Sequence, residues 1–256
     1  MDCRREHEVE RAWVQLAWGG ALELLPIRVE QIGPDSAGHG GRTLLAGSAG
    51  PASGVGRIGR VFISFEGLDG CGKTTQAALL AESAAAAGRE VVPVREPGGT
   101  APGERIRSVL LDPELRITGW AEALLYAAAR AQLVEEVIRP ALERGATVIA
   151  DRFVDSSLAY QGCARGLGVD EVLEVNRVAT QGLLPDRTVL LVLGAEQAAA
   201  RRGEPDRIEA EGAGFHRRVA DGFAAAAARF PERIAVVDAS GTPAQVAGRV
   251  REAVGL

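Results

Sequence analysis

The sequence predicts a three-layer α/β fold, and three observations carry that expectation. From residue 59 onward, short apolar runs alternate with helix-forming stretches. The apolar runs are nearly continuous, as in parallel strands covered on both faces. A glycine-rich turn, Gly67-Leu68-Asp69-Gly70-Cys71-Gly72-Lys73-Thr74, stands between the first apolar run and the first helical stretch. Such alternation places a sheet between helical layers, with ligands expected at the carboxyl ends of the strands.

The elements follow in order. The first strand is expected at 61–66, where Val61-Phe62-Ile63-Ser64-Phe65 reads as a short buried run, and the first helix at 75–87. Further strands are expected at 90–94, 147–151, 188–193 and 233–238. Helical patterns fill the gaps at 103–111, 119–144, 169–180, 194–202, 214–229 and 243–253. The alanine runs at 84–87 and 224–228 reflect composition and helix propensity. No internal repeat is visible.

The glycine-rich turn fits G-x-x-x-x-G-K-[ST], the phosphate-binding P-loop. Lys73 is the one lysine among 29 basic residues. In a chain that otherwise uses arginine, it marks a place where a compact ammonium on a flexible stem is needed to follow phosphate oxygens. Strand, turn and helix in succession aim backbone N–H groups and a helix N-terminus at phosphate. The fold class is therefore a three-layer P-loop NTPase fold, with a five-stranded parallel sheet flanked by helices. Gly67, Leu68, Asp69, Gly70, Cys71, Gly72, Lys73, Thr74 and Thr75 are the expected ATP-binding residues. A second constellation lies where such a fold would place it: Thr147-Val148-Ile149-Ala150-Asp151 is an apolar strand ending in aspartate, followed by Arg152. A carboxylate there can hold the Mg²⁺ shell beside the Thr74 hydroxyl.

Composition bounds the remaining possibilities. At 256 residues, 46% hydrophobic and 25% charged, the chain is long enough to bury one sizeable core. A net charge of −5 gives no sign of a nucleic-acid surface and favours a small phosphate compound as partner. Cys3, Cys71 and Cys163 make neither a disulfide framework nor a metal spacing, which points to a reducing cytoplasm. His7, His39 and His216 lie far apart and read as solvated surface residues. No apolar run reaches membrane-spanning length.

Residues 1–59 read differently from the domain at 60–256. Met1 to Glu10 carries four acidic and two basic residues, unlike a secretory or transit leader. Residues 13–29 form one amphipathic pattern, broken at Gly19-Gly20 and ended by Pro26. Residues 33–59 are rich in Gly, Ser, Ala and Pro, a flexible or disordered composition. The extension is either an appendage or the product of a start placed upstream of the true one, since Met1 is the sole methionine and Val55 precedes the first strand.

Phe65-Glu66-Gly67-Leu68-Asp69-Gly70, then Arg95-Glu96-Pro97-Gly98-Gly99-Thr100, then Asp151-Arg152-Phe153 with Ser156, Ser157 and Ala159-Tyr160-Gln161-Gly162 follow one another along the chain. Together they resemble bacterial thymidylate kinase, from about Val61 to the C-terminus. The resemblance implies transfer of phosphate from Mg·ATP to dTMP, and a homodimer with helices 119–144 and 169–180 as contact surfaces. It implies that Arg95, with Pro97 beside it, and Arg152 bind the acceptor phosphate, for which guanidinium forks are suited. Tyr126 and Arg130, one helical turn apart on one face, match a pair that stacks on and hydrogen-bonds thymine; plain core burial is the competing reading of Tyr126. Tyr160 resembles a residue that closes over the deoxyribose, with Ser157 and Gln161 as polar partners. Asp69 resembles an acidic P-loop residue placed near the transferring phosphate or its metal.

A lid is expected at about 200–214. Some thymidylate kinases carry a catalytic arginine inside the P-loop, where this chain has Gly70 and Cys71. The charge that neutralises the transition state is therefore expected from Arg201, Arg202 or Arg207, which the sequence does not rank. A solvated basic helix end is the competing reading. Asp206 and Glu209 are expected to order the lid. Cys71, at the mouth of a helix N-terminus, is either a small filler or a reactive thiol of lowered pKa. Another P-loop nucleotide or nucleoside kinase, and a P-loop ATPase switch, remain alternatives; an early loop lysine typical of the switches is absent, the place being taken by Leu68.

Overall fold

The computed structural model describes residues 60–194, 197–198 and 206–255. The expected extension, most of the expected helix at 194–202 and both Arg201 and Arg202 lie outside the described residues. Five parallel strands form one sheet in the order β2-β3-β1-β4-β5: β1 Val61–Glu66, β2 Val91–Arg95, β3 Thr147–Asp151, β4 Arg187–Val192 and β5 Ile234–Asp238. The three inner strands are almost wholly buried, which accounts for their unbroken apolar character. Pro93 lies in β2, at the sheet edge, where a missing N–H costs no ladder bond to a further strand.

Side-chain alternation along β1 divides the core. Phe62 packs with Val148, Ala150, Leu133, Ile138 and Leu158 on one face. Ile63 and Phe65 pack with Ile149, Val189, Leu191, Leu80 and Val246 on the other. The second face is covered by α1 (Lys73–Ala86) and the C-terminal helix, while α3 (Gly119–Leu133) and α6 (Val169–Ala179) lie on the first. Between α1 and α3 comes α2 (Ala101–Leu111), opened by Thr100, whose hydroxyl accepts from Gly103 N.

The predicted long helix at 119–144 is not one regular helix. After α3 the chain makes a π-helical stretch, Val134–Ile138, before α4 (Arg139–Glu143). Pro140 lacks the N–H that a regular α-ladder needs, and the wider turn sits directly before it. The sequence also places no element between β3 and α6, yet the chain there folds as α5 (Val154–Ser157) and a second π-helical stretch, Leu158–Ala164. Two serines and Gly162 make it a poor helix by propensity. Tertiary hydrogen bonds described below hold it. The last helices are α7 (Ala213–Arg229) and α8 (Pro243–Val254), the latter opened by a reciprocal capping box between Thr242 and Gln245.

Candidate active site

The register sets the site. Phe65 of β1 pairs with Asp151 of β3, so the glycine-rich loop after β1 emerges beside the aspartate that ends β3. Gly67 takes φ 133°, and a Cβ there would come within 2.4 Å of the Leu191 carbonyl oxygen. Gly70, at φ 84°, meets the Ala198 carbonyl oxygen in the same way at 2.3 Å. No larger residue fits either place without moving backbone. The loop ends in Gly72, and no side chain caps α1, so its first amides stay available at the positive end of the helix.

Lys73 is the first residue of α1 and is buried. Its Nζ donates to the Leu68 carbonyl at 2.9 Å and lies 3.5 Å from Asp69 Oδ1. Burial and the nearby Arg152 charge press its pKa below the ordinary lysine value. Thr74 Oγ1 donates to Asp151 Oδ2 at 2.5 Å, which joins hydroxyl and carboxylate at the loop's end as the sequence anticipates.

Arg152 follows Asp151 with φ 70°, a left-handed conformation that costs an ordinary side chain energy. Its turn is held on both sides: Arg152 N donates to Phe65 O at 3.0 Å, and Phe153 N donates to Glu66 Oε1 at 2.8 Å. Glu66 Oε2 also accepts from Ser156 Oγ at 2.5 Å, and Ser156 Oγ accepts from Arg152 Nη1 at 3.0 Å. Glu66 is completely buried, and burial together with the Asp155 charge pushes its carboxyl up to about 8. Arg152 further donates to Gly67 O at 3.1 Å and pairs with Asp69, which also accepts from the Tyr160 hydroxyl at 3.1 Å. Burial alone would raise the Asp69 carboxyl, but the charges of Arg152 and Lys73 outweigh it and hold it well below the usual range.

One cavity of about 770 Å³ gathers these groups. Its lining includes the P-loop from Asp69 to Thr75, Asp151 and Arg152, and also Arg95, Pro97, Tyr126, Arg130, Ser157, Tyr160 and Gln161. Residues from separate segments between 69 and 161 thus meet in one place. Gly67 and Leu68 are not in the lining; they contribute carbonyls to Arg152 and Lys73.

Several expected residues are engaged differently from the sequence expectation. Arg95 is 49% exposed and forms a two-pronged pair with Glu104, both contacts at 3.0 Å. Arg130 is 1% exposed, and its guanidinium is bonded to Glu96, Ser157, Asn176 and the Phe153 carbonyl. It reaches the cavity wall from inside a buried ion pair. Arg207 is absent from the lining: its Nε donates to Leu110 O at 2.7 Å and its Nη2 to Glu122 Oε2 at 2.8 Å. Cys71 is buried and burial pushes its thiol pKa up, so the lowered value expected of a helix N-terminus is not found. His216, expected on the surface, is half-buried with Nε2 3.2 Å from the Glu209 carbonyl oxygen.

The structure adds residues that the sequence did not single out for the site. Arg107 lines the cavity and donates to Pro97 O at 2.9 Å. It lies one turn beyond Glu104, and that spacing after a strand end was its only sequence signal. Gln76, Ala239, Gly241, Pro243 and Val246 line the wall formed by α1 and the start of α8. The buried carboxylates Asp155 and Glu122 had no local signature, whereas Glu66 and Glu96 stood within the quoted motifs with no role of their own.

Comparison with known proteins matches this arrangement to a family. A family model described as thymidylate kinase matches residues 65–250. The chain belongs to the thymidylate kinase family. It is 51% identical over 179 residues to the thymidylate kinase of Thermoanaerobacter sp. (strain X514), covering 69% of this chain and 88% of the relative. With that of Deinococcus radiodurans it shares 52% identity over 183 residues, 70% of this chain and 89% of the other. Among solved structures, the crystal structure of thymidylate kinase from Ehrlichia chaffeensis is 30% identical, with a TM-score of 0.64, covering 77% of this chain and 99% of that one. The family's shared segment thus spans the P-loop domain and its five-stranded sheet.

Proposed function

We propose that this chain is a thymidylate kinase, which transfers the γ-phosphate of ATP to dTMP and yields ADP and dTDP. The observation that carries the reading is one cavity that joins P-loop residues 69–75 to Arg107, Arg152 and Tyr126. A phosphate donor and a nucleoside monophosphate fit side by side in such a space. Family membership over residues 65–250 supports the choice of acceptor.

In this reading the α1 amides and Lys73 hold the donor phosphates, and Arg152 and Arg107 present guanidinium groups to the acceptor phosphate. The nucleophile is an oxygen of dTMP that is already anionic, so no general base is required; in-line positioning and charge stabilisation do the work. Tyr126 stacks on the base beside Arg130, with Ser157 and Gln161 as polar neighbours. Tyr160, fixed by its bond to Asp69, is assigned to the acceptor sugar, where it would crowd a 2′-hydroxyl. The residues present fit Mg²⁺. Among the described residues no three His, Cys, Asp or Glu side chains form a self-contained cage. Thr74, Asp151 and Asp69 instead offer the few oxygen ligands that suit a magnesium ion arriving with nucleotide. Thr74, Asp151 and Asp69 would hold such an ion, which would supply positive charge to offset that of the donor phosphates.

Arg207 is engaged elsewhere, so the neutralising arginine of the lid is assigned to Arg201 or Arg202. The protein acts in the cytoplasm and as a homodimer. Exposed Trp120 and Leu124 on α3 and Val178 on α6 supply the apolar contact surface. An ADP-release assay with Mg·ATP and dTMP, dUMP, dCMP, dGMP or thymidine tests the substrate. Strong preference for dTMP is expected, with dUMP separated by only about 1–3 kcal/mol because one methyl group distinguishes them. Turnover of another acceptor with dTMP inert would overturn the assignment.

A further inference from the structure

Behind the cavity lies a buried charge cluster that the phosphoryl-transfer residues do not explain. Glu122, in the first turn of α3, is 0% exposed. Its Oε1 accepts from Gln161 Nε2 at 2.9 Å and Arg165 Nε at 3.2 Å. Its Oε2 accepts from Arg165 Nη2 at 3.1 Å and Arg207 Nη2 at 2.8 Å. Burial works to raise this carboxyl, but the bonds from Arg165, Gln161 and Arg207 outweigh it and hold it below its ordinary value. It is a permanent carboxylate with both oxygens fully used.

Two of the three donors, Gln161 and Arg207, are tied to a wall of the cavity. Gln161 lines it directly, and Tyr126 stands one helical turn beyond Glu122 on the same helix. Arg207 is flanked by Asp206 and Ile208, which both line it. Arg165 has a second carboxylate in Glu211 and lies 4.5 Å from the Phe215 ring centre. Arg207 has no such second carboxylate among the described residues; its guanidinium holds Glu122 and the Leu110 carbonyl. None of these bonds touches the P-loop.

We propose that Glu122 is a positioning residue for the acceptor nucleotide: its carboxylate locks Gln161 and, through Arg207, the 206–208 stretch into the wall that faces Tyr126. The inference rests on the thymidylate kinase reading and extends it to a residue that does not itself line the cavity. It also gives Arg207 a positioning role in place of the expected catalytic one.

The test is steady-state kinetics of Glu122→Gln, Arg207→Met and the double variant, beside wild type, each with its thermal unfolding curve. Each single change is expected to raise KM for dTMP about tenfold, the scale of one lost hydrogen bond to a charged group. KM for Mg·ATP and kcat should stay within about twofold, and the double variant should be no worse than the poorer single, because both cut one link. Equal increases in both KM values, or no change in either, would overturn the proposal. So would a loss in Arg207→Met confined to kcat, which would mark a group acting on the transferring phosphate. Should Glu122→Gln not fold, Arg207→Met decides the matter by the same split. Absence of dTMP turnover by wild type would overturn the functional reading itself; normal wild-type turnover with unaltered variants would overturn the role of Glu122 alone.

Discussion

In the proposed function, residues 67–75 supply the donor-phosphate cradle in one stretch of chain, whereas the proposed acceptor wall and the side chains behind it draw Glu96, Arg107, Glu122, Arg130, Arg152, Gln161 and Asp206 from separate segments. The cradle works through backbone: glycines that permit close approach, uncapped amides and one ammonium. The wall works largely through buried ion pairs: Glu96 is paired with Arg130, and Glu122 with Arg165 and Arg207. A backbone cradle fails at single positions and leaves the rest of the fold intact. A charge network fails collectively, so its members are coupled in stability as well as in binding.

The largest expected effect falls on the cradle. Lys73→Ala should lower kcat by about three orders of magnitude or more, the scale of a lost phosphate-stabilising cation, while its melting temperature stays near wild type. A comparable loss of stability in that variant would blur the contrast between cradle and wall.

Next comes the most buried ion pair. Arg130→Met leaves Glu96 without its countercharge in a site where burial already pushes the Glu96 carboxyl up. Such a change should cost about 3–5 kcal/mol of folding stability in denaturant titration. Adding Glu96→Gln should recover part of that loss, because the orphaned charge is removed. Strict additivity of the two would show that Arg130 and Glu96 act separately.

A third expected effect is one of pH. Glu66 titrates near 8 in the folded protein and, unfolded, near 4.5. Between these values the folded state keeps a proton that the unfolded chain has released, so stability contributed by this site falls as pH rises. The stability of Glu66→Gln minus that of wild type should therefore grow from about pH 4.5 to 8 and level off above. A pH-independent difference would place the Glu66 carboxyl in the ordinary range.

The same contrast explains what the sequence made legible. The P-loop is contiguous and its chemistry is written in residue types at fixed spacing, so Lys73, Thr74 and the strand before them could be read directly. Asp151 was readable because an apolar strand that ends in a carboxylate is a local pattern. Glu122, by contrast, reads as a helix-surface acid, since its partners lie 39, 43 and 85 residues away. Arg95 was singled out through its motif, Arg95-Glu96-Pro97-Gly98-Gly99-Thr100, and it lines the cavity, but its pairing with Glu104 could not be read from that motif. Residues 154–164 looked unlike a helix because their stability comes from Glu66, through Phe153 N and Ser156, and not from propensity.

The most direct test of the account is product analysis after incubation of the purified protein with Mg·ATP and dTMP. ADP and dTDP appearing in equal amounts, and neither appearing with Lys73→Ala, is the expected result. ADP accompanied by inorganic phosphate, with dTMP unchanged, would mean that the cavity hydrolyses ATP without serving an acceptor, and would contradict the account.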